Sequence, residues 1–440
     1  MDRRKFLVRS GAVISSGTLL SACDTSPSAN TAAFVEEMSF NTWEDIRKQF
    51  LFNPNRIHMS QMLFAAHPKM VRDAIQKHRD AFDANPVEHW EDNWMTIDVG
   101  IRKKASEYMD AAPEEIALTD STTMGLSILY NGLKLRSTDE ILTTTHDHYV
   151  TEKSLEFAAA KTGASIKRVS LYTDPSMATV DEMVGVLKKE ITPKTKIVAI
   201  TFVHSCTGVK TPVKEIAAMI KEQNGKRTES DRIYLCVDGV HGFGIENVSI
   251  RDLDCDFFAA GTHKWIFGPR GTGVLYARKD AWHMIAPVIP SFEYNAYGSW
   301  LDLVPANKLT YADHCTPGGF HSFEHRWSLG EGFQFQLNIG KERVEKRSHE
   351  LSARLKQGLA NIRHIRLITP QREEVSAGIN CFEVEGMKNI DVVKKLLTKK
   401  IIASESPYKI SYARLTPCMI NTEEEVDTCL RELEHIKESA

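Results

Sequence analysis

The chain has 440 residues, of which 42% are hydrophobic and 26% are charged. This composition is typical of a globular protein and argues against intrinsic disorder, and the length is sufficient for one large core and a smaller second domain. The formal net charge is −3 and no long basic run occurs, so we expect a small-molecule ligand and no nucleic-acid partner.

The N-terminal segment differs in composition from the rest. Arg3 and Arg4 precede Phe-Leu and an uncharged apolar segment over residues 10–22, which ends in Leu-Ser-Ala-Cys23. The paired arginines resemble a twin-arginine export signal, and the Cys23 ending resembles a lipobox, in which the cysteine is lipidated. The segment is too short to span a bilayer. A cytosolic protein with a basic start is the alternative.

These features predict a signal over residues 1–23, followed by a tether and N-terminal segment over residues 24–56. The mature protein is then exported folded and attached by lipid to the periplasmic or extracytoplasmic face of the membrane. The small polar residues after Cys23 suit such a tether. Membrane contact is expected only through this anchor.

Short apolar runs alternate with segments of helical periodicity through the middle of the chain. Strands are predicted at residues 115–119, 140–143, 165–169, 196–201, 233–237, 256–260 and 274–277. Helical segments such as 180–189 and 213–222 lie between them. The alternation predicts an α/β fold with a mostly parallel sheet flanked by helices, in a large domain over residues 57–315.

After residue 315 the pattern changes. A long helical stretch over residues 328–362 precedes an apolar run at 379–384, a helix, and a strand-like run at 409–415. This order predicts a smaller α+β domain over residues 316–440. In the parallel sheet of the large domain, ligands are expected at the carboxyl ends of the strands.

Three hydroxyl residues follow the first predicted strand and open a helix. Ser121, Thr122 and Thr123 therefore lie beside free backbone N–H groups at the positive end of a helix dipole. This arrangement predicts a phosphate-binding cup. Ser and Thr are also common helix caps in any protein, and capping alone is the alternative.

The next two strands end in further candidate residues. His146 is our first candidate for stacking on a planar ring and carrying a proton, and His148 is the second. Two histidines at positions i and i+2 on a loop, without further ligands nearby, do not predict zinc. Ser205 follows the strand at 196–201 and is placed to hydrogen-bond a ring oxygen. His241 is a second candidate for that oxygen, with a turn histidine as the alternative.

Asp238 and Lys264 follow two successive predicted strands and lie 26 positions apart. Singly, such residues are usually a helix cap and a solvated charge. Together they are the two groups that pyridoxal phosphate requires, a lysine amine for the covalent bond and a carboxylate that keeps the ring nitrogen protonated. The sequence therefore predicts a pyridoxal-phosphate site with Lys264 and Asp238 as its catalytic residues.

Apart from Cys23, the cysteines are odd in number and form no Cys-x-x-Cys pair. This pattern predicts neither a disulfide framework nor a zinc site. They are Cys206, Cys236, Cys255, Cys315, Cys381, Cys418 and Cys429.

These motifs together resemble the class V aminotransferase family of fold-type I pyridoxal-phosphate enzymes, over residues 57–431. The resemblance implies an aspartate-aminotransferase-like fold. It also implies that the hydroxyl cup and His263 bind phosphate, that His146 stacks on the ring, and that Ser205, Asp238 with His241, and Lys264 complete the cofactor site. The residues that carry this resemblance are Ser121, Thr122, Thr123, His146, Ser205, Asp238, His241, His263 and Lys264.

Within the family, the isopenicillin N epimerase-like subgroup is the most similar, through residues 141–146, 414–417 and 421–424. In that subgroup an arginine placed like Arg414 clamps the substrate carboxylate, as a planar fork of donors does. Cysteine desulfurases carry an arginine and a reactive cysteine where this chain reads Ala-Ser-Glu-Ser-Pro over residues 403–407, so desulfurase activity is not expected.

Two further departures concern the phosphate. Gly261 stands where desulfurases place a phosphate-binding serine. The Gly-Thr pair by which a neighbouring subunit reaches the phosphate in the family is replaced here by Arg326 and Trp327, and Arg326 is expected to contact the substrate instead.

The resemblance implies an enzyme that acts on an amino acid or amine, by transamination or epimerisation at Cα. β-Elimination is an alternative, and a non-catalytic protein that binds pyridoxal phosphate is another. By analogy with an exported relative that tailors a siderophore, a peptide or siderophore-type amine is a candidate substrate. The resemblance also implies a homodimer, which is the usual oligomeric state in the family.

Overall fold

The computed structural model describes residues 38–437. The predicted signal over residues 1–23, with Cys23, lies outside the described residues, as does the first part of the predicted tether. Within the described range, every helix is either too short or too polar to cross a bilayer.

Strands and α-helices alternate along most of the described chain. The strands are β1 (Ile57–His58), β2 (Ile116–Thr119), β3 (Glu140–Thr144), β4 (Ser165–Val169), β5 (Thr195–Thr201), β6 (Tyr234–Asp238), β7 (Phe257–Gly261), β8 (Gly273–Ala277), β9 (Ile365–Leu367), β10 (Asn380–Val384), β11 (Ile401–Ile402), β12 (Ser404–Glu405) and β13 (Ala413–Leu415). The helices of the first half are α1 (Trp43–Lys48), α2 (Lys69–Ala84), α3 (Pro86–Trp94), α4 (Ile97–Met109), α5 (Thr122–Gly132), α6 (Tyr149–Thr162), α7 (Val180–Glu190) and α8 (Val213–Asn224). Those of the second half are α9 (Ile250–Leu253), α10 (Tyr294–Trp300), α11 (Tyr311–Cys315), α12 (Phe323–Arg326), α13 (Leu329–Ile339), α14 (Lys341–Asn361), α15 (Asn389–Thr398) and α16 (Glu423–Glu434).

The central sheet has seven strands in the spatial order β2-β8-β7-β6-β5-β3-β4. β8 is antiparallel to both of its neighbours, and the remaining pairs are parallel. The α/β fold with a mostly parallel sheet is therefore confirmed. Because the parallel strands share one direction, β3, β5, β6 and β7 end at the same edge of the sheet.

Helices cover both faces of this sheet, which explains why its strands read as continuous apolar runs. All residues of β5 through β8 are buried. Alternate residues of β5 belong to different apolar clusters: Val198 and Ile200 to one, and Ile197 and Ala199 to the other. Successive side chains of a strand point to opposite faces of the sheet, so each strand contributes to the apolar core on both faces.

The C-terminal part contains a four-stranded antiparallel sheet in the order β12-β13-β10-β9. Side chains of α14, α15 and α16 pack on it in a third apolar cluster that includes Leu351, Leu396 and Val426. This agrees with the predicted α+β arrangement. In addition, β1 pairs in parallel with β11, so the first residues of the predicted large domain are joined to the C-terminal part.

One predicted element is divided. The helical pattern over residues 328–362 folds as two helices, α13 and α14, because Gly340 between them takes a φ of +93° that glycine tolerates and other residues rarely adopt. Phe333 of α13 packs in the same core as the central sheet, whereas Leu351 of α14 packs on the small sheet. The break between the helices lets α13 pack with the central sheet and α14 pack on the small sheet.

Candidate active site

A cavity of about 250 Å³ lies at the carboxyl-end edge of the central sheet. The ends of β5, β6 and β7 and the first turn of α5 form one side of it, and the loop between β12 and β13 forms another. Lys264, Asp238, His241, Ser205 and Arg414 all line this cavity. The structure therefore brings these five predicted site residues together.

Lys264 lies three residues past the end of β7, with its Nζ 3.4 Å from Nε2 of His241. Burial lowers the pKa of Lys264 to about 8; Arg414 acts in the same direction and Asp238 opposes it. A lysine with this pKa has a substantial neutral fraction near neutral pH, whereas an exposed lysine does not. The neutral amine is the form that attacks a carbonyl carbon and accepts a proton.

Asp238 is the last residue of β6 and is buried. Its Oδ1 accepts a hydrogen bond from the Val240 N–H at 3.1 Å, and its Oδ2 accepts one from Thr151 Oγ1 at 3.4 Å. Burial raises the pKa of Asp238 to about 6, while the Val240 N–H and Lys264 hold it down. A buried carboxyl of this kind is suited to binding a protonated ring nitrogen.

His241 lies in the turn after β6 and is also buried. Burial, with the nearby charges of Lys264 and Arg414, depresses the pKa of His241 well below its usual value. Its Nδ1 is buried without a hydrogen-bond partner among residues 38–437. A neutral imidazole with an unused nitrogen in the cavity wall is able to hydrogen-bond a ligand, and the contact to a cofactor oxygen stays a prediction.

The phosphate cup predicted at residues 121–123 forms the part of the cavity next to α5. Ser121 caps this helix by accepting a hydrogen bond from the Met124 N–H at 3.1 Å, and Thr122 Oγ1 accepts one from the Gly261 N–H at 2.7 Å. Thr123 and His263 line the same region. The capping role and the exposure to the cavity coexist, since an accepting hydroxyl still has its own hydrogen to donate.

Gly261 has a steric reason to be glycine. A Cβ at this position would lie 2.8 Å from Cε1 of His263 and 2.9 Å from Oγ1 of Thr122. The serine that desulfurases place here would therefore collide with two predicted phosphate-binding residues. Glycine at this position leaves room for both side chains in their present positions.

The structure does not bring His146 into the cavity, and this prediction is corrected. The His146 ring stacks on Tyr172 with a centroid distance of 4.0 Å, and its Nε2 accepts a hydrogen bond from the Leu171 N–H at 3.0 Å. His148, the second candidate, lines the cavity instead and caps α6 through Nδ1, which accepts from the Val150 N–H at 3.3 Å.

Asp147, between the two histidines, anchors their loop through four hydrogen bonds. Its Oδ2 accepts hydrogen bonds from the backbone N–H and the hydroxyl of Thr144, at 3.0 and 2.6 Å, and from Thr143 Oγ1 at 3.1 Å. Its Oδ1 accepts from Thr201 Oγ1 on β5 at 2.6 Å. Asp147 thereby connects the loop to β3 and β5. His146 directly precedes it in the chain and His148 directly follows it.

Ser205 is paired with a residue that the sequence analysis did not identify. Its hydroxyl lies 2.8 Å from the Tyr408 hydroxyl, and Tyr408 lines the cavity with its ring edge-on to His148. The predicted strand at 409–415 is shorter than expected, since β13 begins at Ala413, and the freed residues form the loop that carries Tyr408. No local pattern in the sequence signals this placement.

Arg414 on β13 is 2% exposed and points into the cavity. Its guanidinium donates to the carbonyl oxygens of Ser205 and Glu405, both at 2.8 Å, and to Ser404 Oγ at 3.2 Å. All of these acceptors are neutral. Among residues 38–437, no carboxylate forms an ion pair with this buried cation, so its charge is available to an anionic ligand.

Arg326 does not reach this cavity, and its predicted contact with the substrate is corrected. It is buried beside a separate narrow cavity of about 30 Å³, walled by aromatic rings that include Trp94 and Trp327. Its guanidinium forms ion pairs with Asp98 and Asp120.

The residues that line the larger cavity are consistent with pyridoxal phosphate. A lysine with a lowered pKa, a buried acid, a helix N-terminus bearing hydroxyls, and the unpartnered Nδ1 of His241 are each what one part of that molecule needs. Lys264 would hold the carbonyl carbon, Asp238 the ring nitrogen, and Ser121 to Thr123 the phosphate.

A family model described as aminotransferase class-V matches residues 65–428. The chain is 29% identical over 355 residues to a probable cysteine desulfurase of Halalkalibacterium halodurans, covering 77% of this chain and 82% of that protein. It is 22% identical over 403 residues to the isopenicillin N epimerase of Streptomyces clavuligerus, covering 89% and 97%.

Two solved structures show the same fold. A C-DES mutant with glycine covalently linked to its PLP cofactor superposes with a TM-score of 0.78 at 22% identity, over 88% of this chain and 98% of that one. The apo cysteine desulfurase of Thermococcus onnurineus gives a TM-score of 0.76 at 23% identity, over 90% and 98%.

Proposed function

The chain belongs to the class V aminotransferase family, whose enzymes depend on pyridoxal phosphate, and from this premise we propose that it transfers a proton at Cα of an α-amino acid. The outcome of that transfer is transamination or epimerisation. The observation that carries the proposal is Arg414, a buried guanidinium without a carboxylate partner among the described residues, in the same cavity as Lys264.

Bound pyridoxal phosphate withdraws electrons from the Cα of an attached amine and so acidifies the Cα proton. The chain then has to hold and return that proton. Lys264 is the base in the cavity whose pKa, about 8, allows both steps near neutral pH. Asp238 favours the protonated ring nitrogen, and His148, Ser205 and the Ser121 to Thr123 cup fix the position of the ring.

Arg414 selects the substrate. The carbonyl groups of Ser205 and Glu405 hold its guanidinium in place without neutralising it. A substrate carboxylate supplies the missing charge and forms charge-assisted hydrogen bonds in a site shielded from solvent. A free carboxylate next to the reacting amine is therefore the expected substrate feature, which favours amino acids over simple amines.

Several relatives are named cysteine desulfurases, but this cavity offers no thiol from the described residues. Cys206 is the cysteine adjacent to Ser205; it is buried, and burial raises its pKa to about 11. A thiol with that pKa is a poor nucleophile at neutral pH. This supports chemistry at Cα in preference to sulfur transfer through a cysteine.

The test is proton exchange at Cα in deuterated buffer. The holoenzyme is incubated with a panel of amino acids, and loss of the Cα–H signal is followed by NMR together with chiral and keto-acid analysis of the products. We expect exchange accompanied by a 2-oxo acid or by the opposite enantiomer. Ammonia and a 2-oxo acid released only from β-substituted substrates would instead establish elimination, and no exchange with any substrate would establish a non-catalytic binding protein.

Arg354 provides a matched control for Arg414. It is a surface arginine paired with Asp427 and lies on α14, away from the cavity. In the same exchange assay, Arg414→Lys should reduce exchange of free amino acids strongly, because the planar fork is lost, while Arg354→Lys should leave it unchanged. Equal effects of the two substitutions would contradict the assignment of Arg414 to the substrate carboxylate.

We also propose that the protein is exported and attached to the outer face of the membrane through Cys23, where a peptide or siderophore-type amine is a candidate substrate. The support is the composition of residues 1–23. Replacing Arg3 and Arg4 by lysines should retain the protein in the cytoplasm, and Cys23→Ser should release it from the membrane fraction. Unchanged fractionation of both variants would exclude this proposal.

We further propose a homodimer. Several large apolar side chains between residues 288 and 320 are exposed, which is unusual for a monomer surface. These are Val288, Ile289, Trp300, Leu303, Tyr311 and Phe320. Light scattering should give twice the mass of the chain, and a charged replacement of Trp300, which is 74% exposed, should halve it. A monomeric mass for the unaltered protein would exclude the dimer.

A further inference from the structure

Arg326 is the buried cation whose role the family pattern does not supply. It ends α12, is 2% exposed, and lies between two carboxylates: NH2 is 3.4 Å from Asp98 Oδ2 on α4, and NH1 is 3.6 Å from Asp120 Oδ1. Its Nε and NH1 groups have no hydrogen-bond partner within residues 38–437. Aromatic rings pack around the buried Arg326, while the Asp120 side chain is 37% exposed.

Asp120 is the carboxylate that connects Arg326 with the active site. It directly precedes Ser121, the cap of α5 and the first residue of the phosphate cup. Chain geometry alone keeps the Asp120 carboxylate within about 10 Å of an anion held by the first turn of this helix. A formal negative charge at that position opposes the attraction of the helix N-terminus for a phosphate.

Neither Arg326 nor Asp120 lines the cavity that contains Lys264, whereas Ser121, Thr122 and Thr123 do. Arg326 and Asp120 therefore lie outside the cavity, next to the phosphate cup. Thr122 is held from the other side by the Gly261 N–H, at 2.7 Å. The segment between β2 and α5 is thus contacted by Arg326 through the Asp120 carboxylate and by β7 through the Gly261 N–H.

We propose that Arg326 is a positioning residue for the cofactor phosphate: by pairing with Asp120 it cancels the charge beside the cup and holds the start of α5 in register. Asp98 also binds the guanidinium, at 3.4 Å from NH2. The proposal rests on the pyridoxal-phosphate site and is independent of which reaction occurs at Cα.

The test measures cofactor affinity by titrating cofactor-free protein and following tryptophan fluorescence. R326Q should bind pyridoxal phosphate roughly threefold to tenfold more weakly, since Asp120, although partly screened by solvent, is then unpaired beside a doubly charged phosphate. D120N alone should bind it as tightly as the unaltered protein or more tightly, and the double variant D120N/R326Q should regain most of the lost affinity. Pyridoxal, which has no phosphate, should bind all four proteins equally.

D120N keeps the proposal testable if R326Q folds poorly, because Asp120 is 37% exposed at its side chain and its replacement is mild. Weaker binding of pyridoxal phosphate to D120N would overturn the proposal. So would equal losses of pyridoxal and pyridoxal phosphate in R326Q, or additive losses in the double variant, since these indicate a purely structural role. Absence of any bound cofactor in the unaltered protein would instead refute the assignment of the site itself.

Discussion

Attachment of pyridoxal phosphate to the cofactor-free protein should accelerate as the pH rises through about 8. The attacking group is the neutral amine of Lys264, and the ammonium form does not react. Burial lowers the pKa of Lys264 from 10.5 to about 8. Since the pKa is depressed, the reactive form is scarce below pH 8 and predominant above it.

The size of the effect follows from the two pKa values. At pH 7, a lysine with a pKa of about 8 is about 9% neutral, whereas one with a pKa of 10.5 is about 0.03% neutral. The cavity therefore enriches the reactive amine roughly 300-fold at neutral pH. Above pH 8 the remaining gain is small, and the rate should approach a plateau.

The assay is stopped-flow absorbance of the lysine-linked cofactor after mixing cofactor-free protein with pyridoxal phosphate between pH 6 and 10. N-acetyl-lysine amide in the same buffers is the control, because it corrects for titration of the cofactor itself. Asp238→Asn should move the midpoint to lower pH, since Asp238 is the charge that favours the Lys264 ammonium. A midpoint near pH 10 that tracks the control amine would refute a lysine activated by burial.

Three further predictions concern single residues in the cavity and beside it. Asp238→Asn should lower kcat by at least a hundredfold while the cofactor remains bound, because the ring nitrogen loses its charged partner. Steady-state kinetics, with the cofactor absorbance as a check on occupancy, tests this, and an unchanged kcat would contradict it. Arg414→Ala should raise KM for a free amino acid much more than KM for its amide, and the control Arg354→Ala should change neither KM value. Equal KM changes for acid and amide would exclude a carboxylate contact. His148→Ala should shift the cofactor absorbance maximum and weaken cofactor binding, whereas His146→Ala should lower the Tm without a spectral shift; the reverse pattern would restore His146 as the stacking residue.

The sequence was informative where function is encoded at strand ends. Asp238, Ser205 and the cup at Ser121 each follow an apolar run, and Lys264 follows the next one, so a parallel sheet brings them to one edge without knowledge of any tertiary contact. The seven-stranded sheet followed from the same alternation. These features depend on local periodicity, which a single sequence displays.

The errors arose where orientation depends on distant residues. His146 and His148 are chemically alike and two positions apart. Asp147 between them accepts a hydrogen bond from Thr201, which is 54 residues away. Arg326 was assigned to the substrate because a basic residue replaced a small pair, but its partners Asp98 and Asp120 lie more than 200 residues earlier.

Tyr408 was missed because the apolar run that follows it predicted a strand, whereas the first residues of that run belong to a loop. The run at 409–415 contains enough apolar residues for a strand, yet only Ala413–Leu415 pairs with β10. The hydrogen bond between Tyr408 and Ser205 joins the small sheet to the central one across 203 residues. Contacts of this range have no signature in local sequence.

The most direct test of the central claim is to find which lysine holds the cofactor. The purified protein is reduced with borohydride and digested, and the labelled peptide is identified by mass spectrometry. Lys356 is an internal control, because it is also buried and burial lowers its pKa to about 8, but it donates to the carbonyls of Pro370 and Gln371 away from the cavity. We predict a single pyridoxyl group on Lys264 and none on Lys356. A colourless protein, or a label on Lys356 or on several lysines, would contradict the assignment of this site.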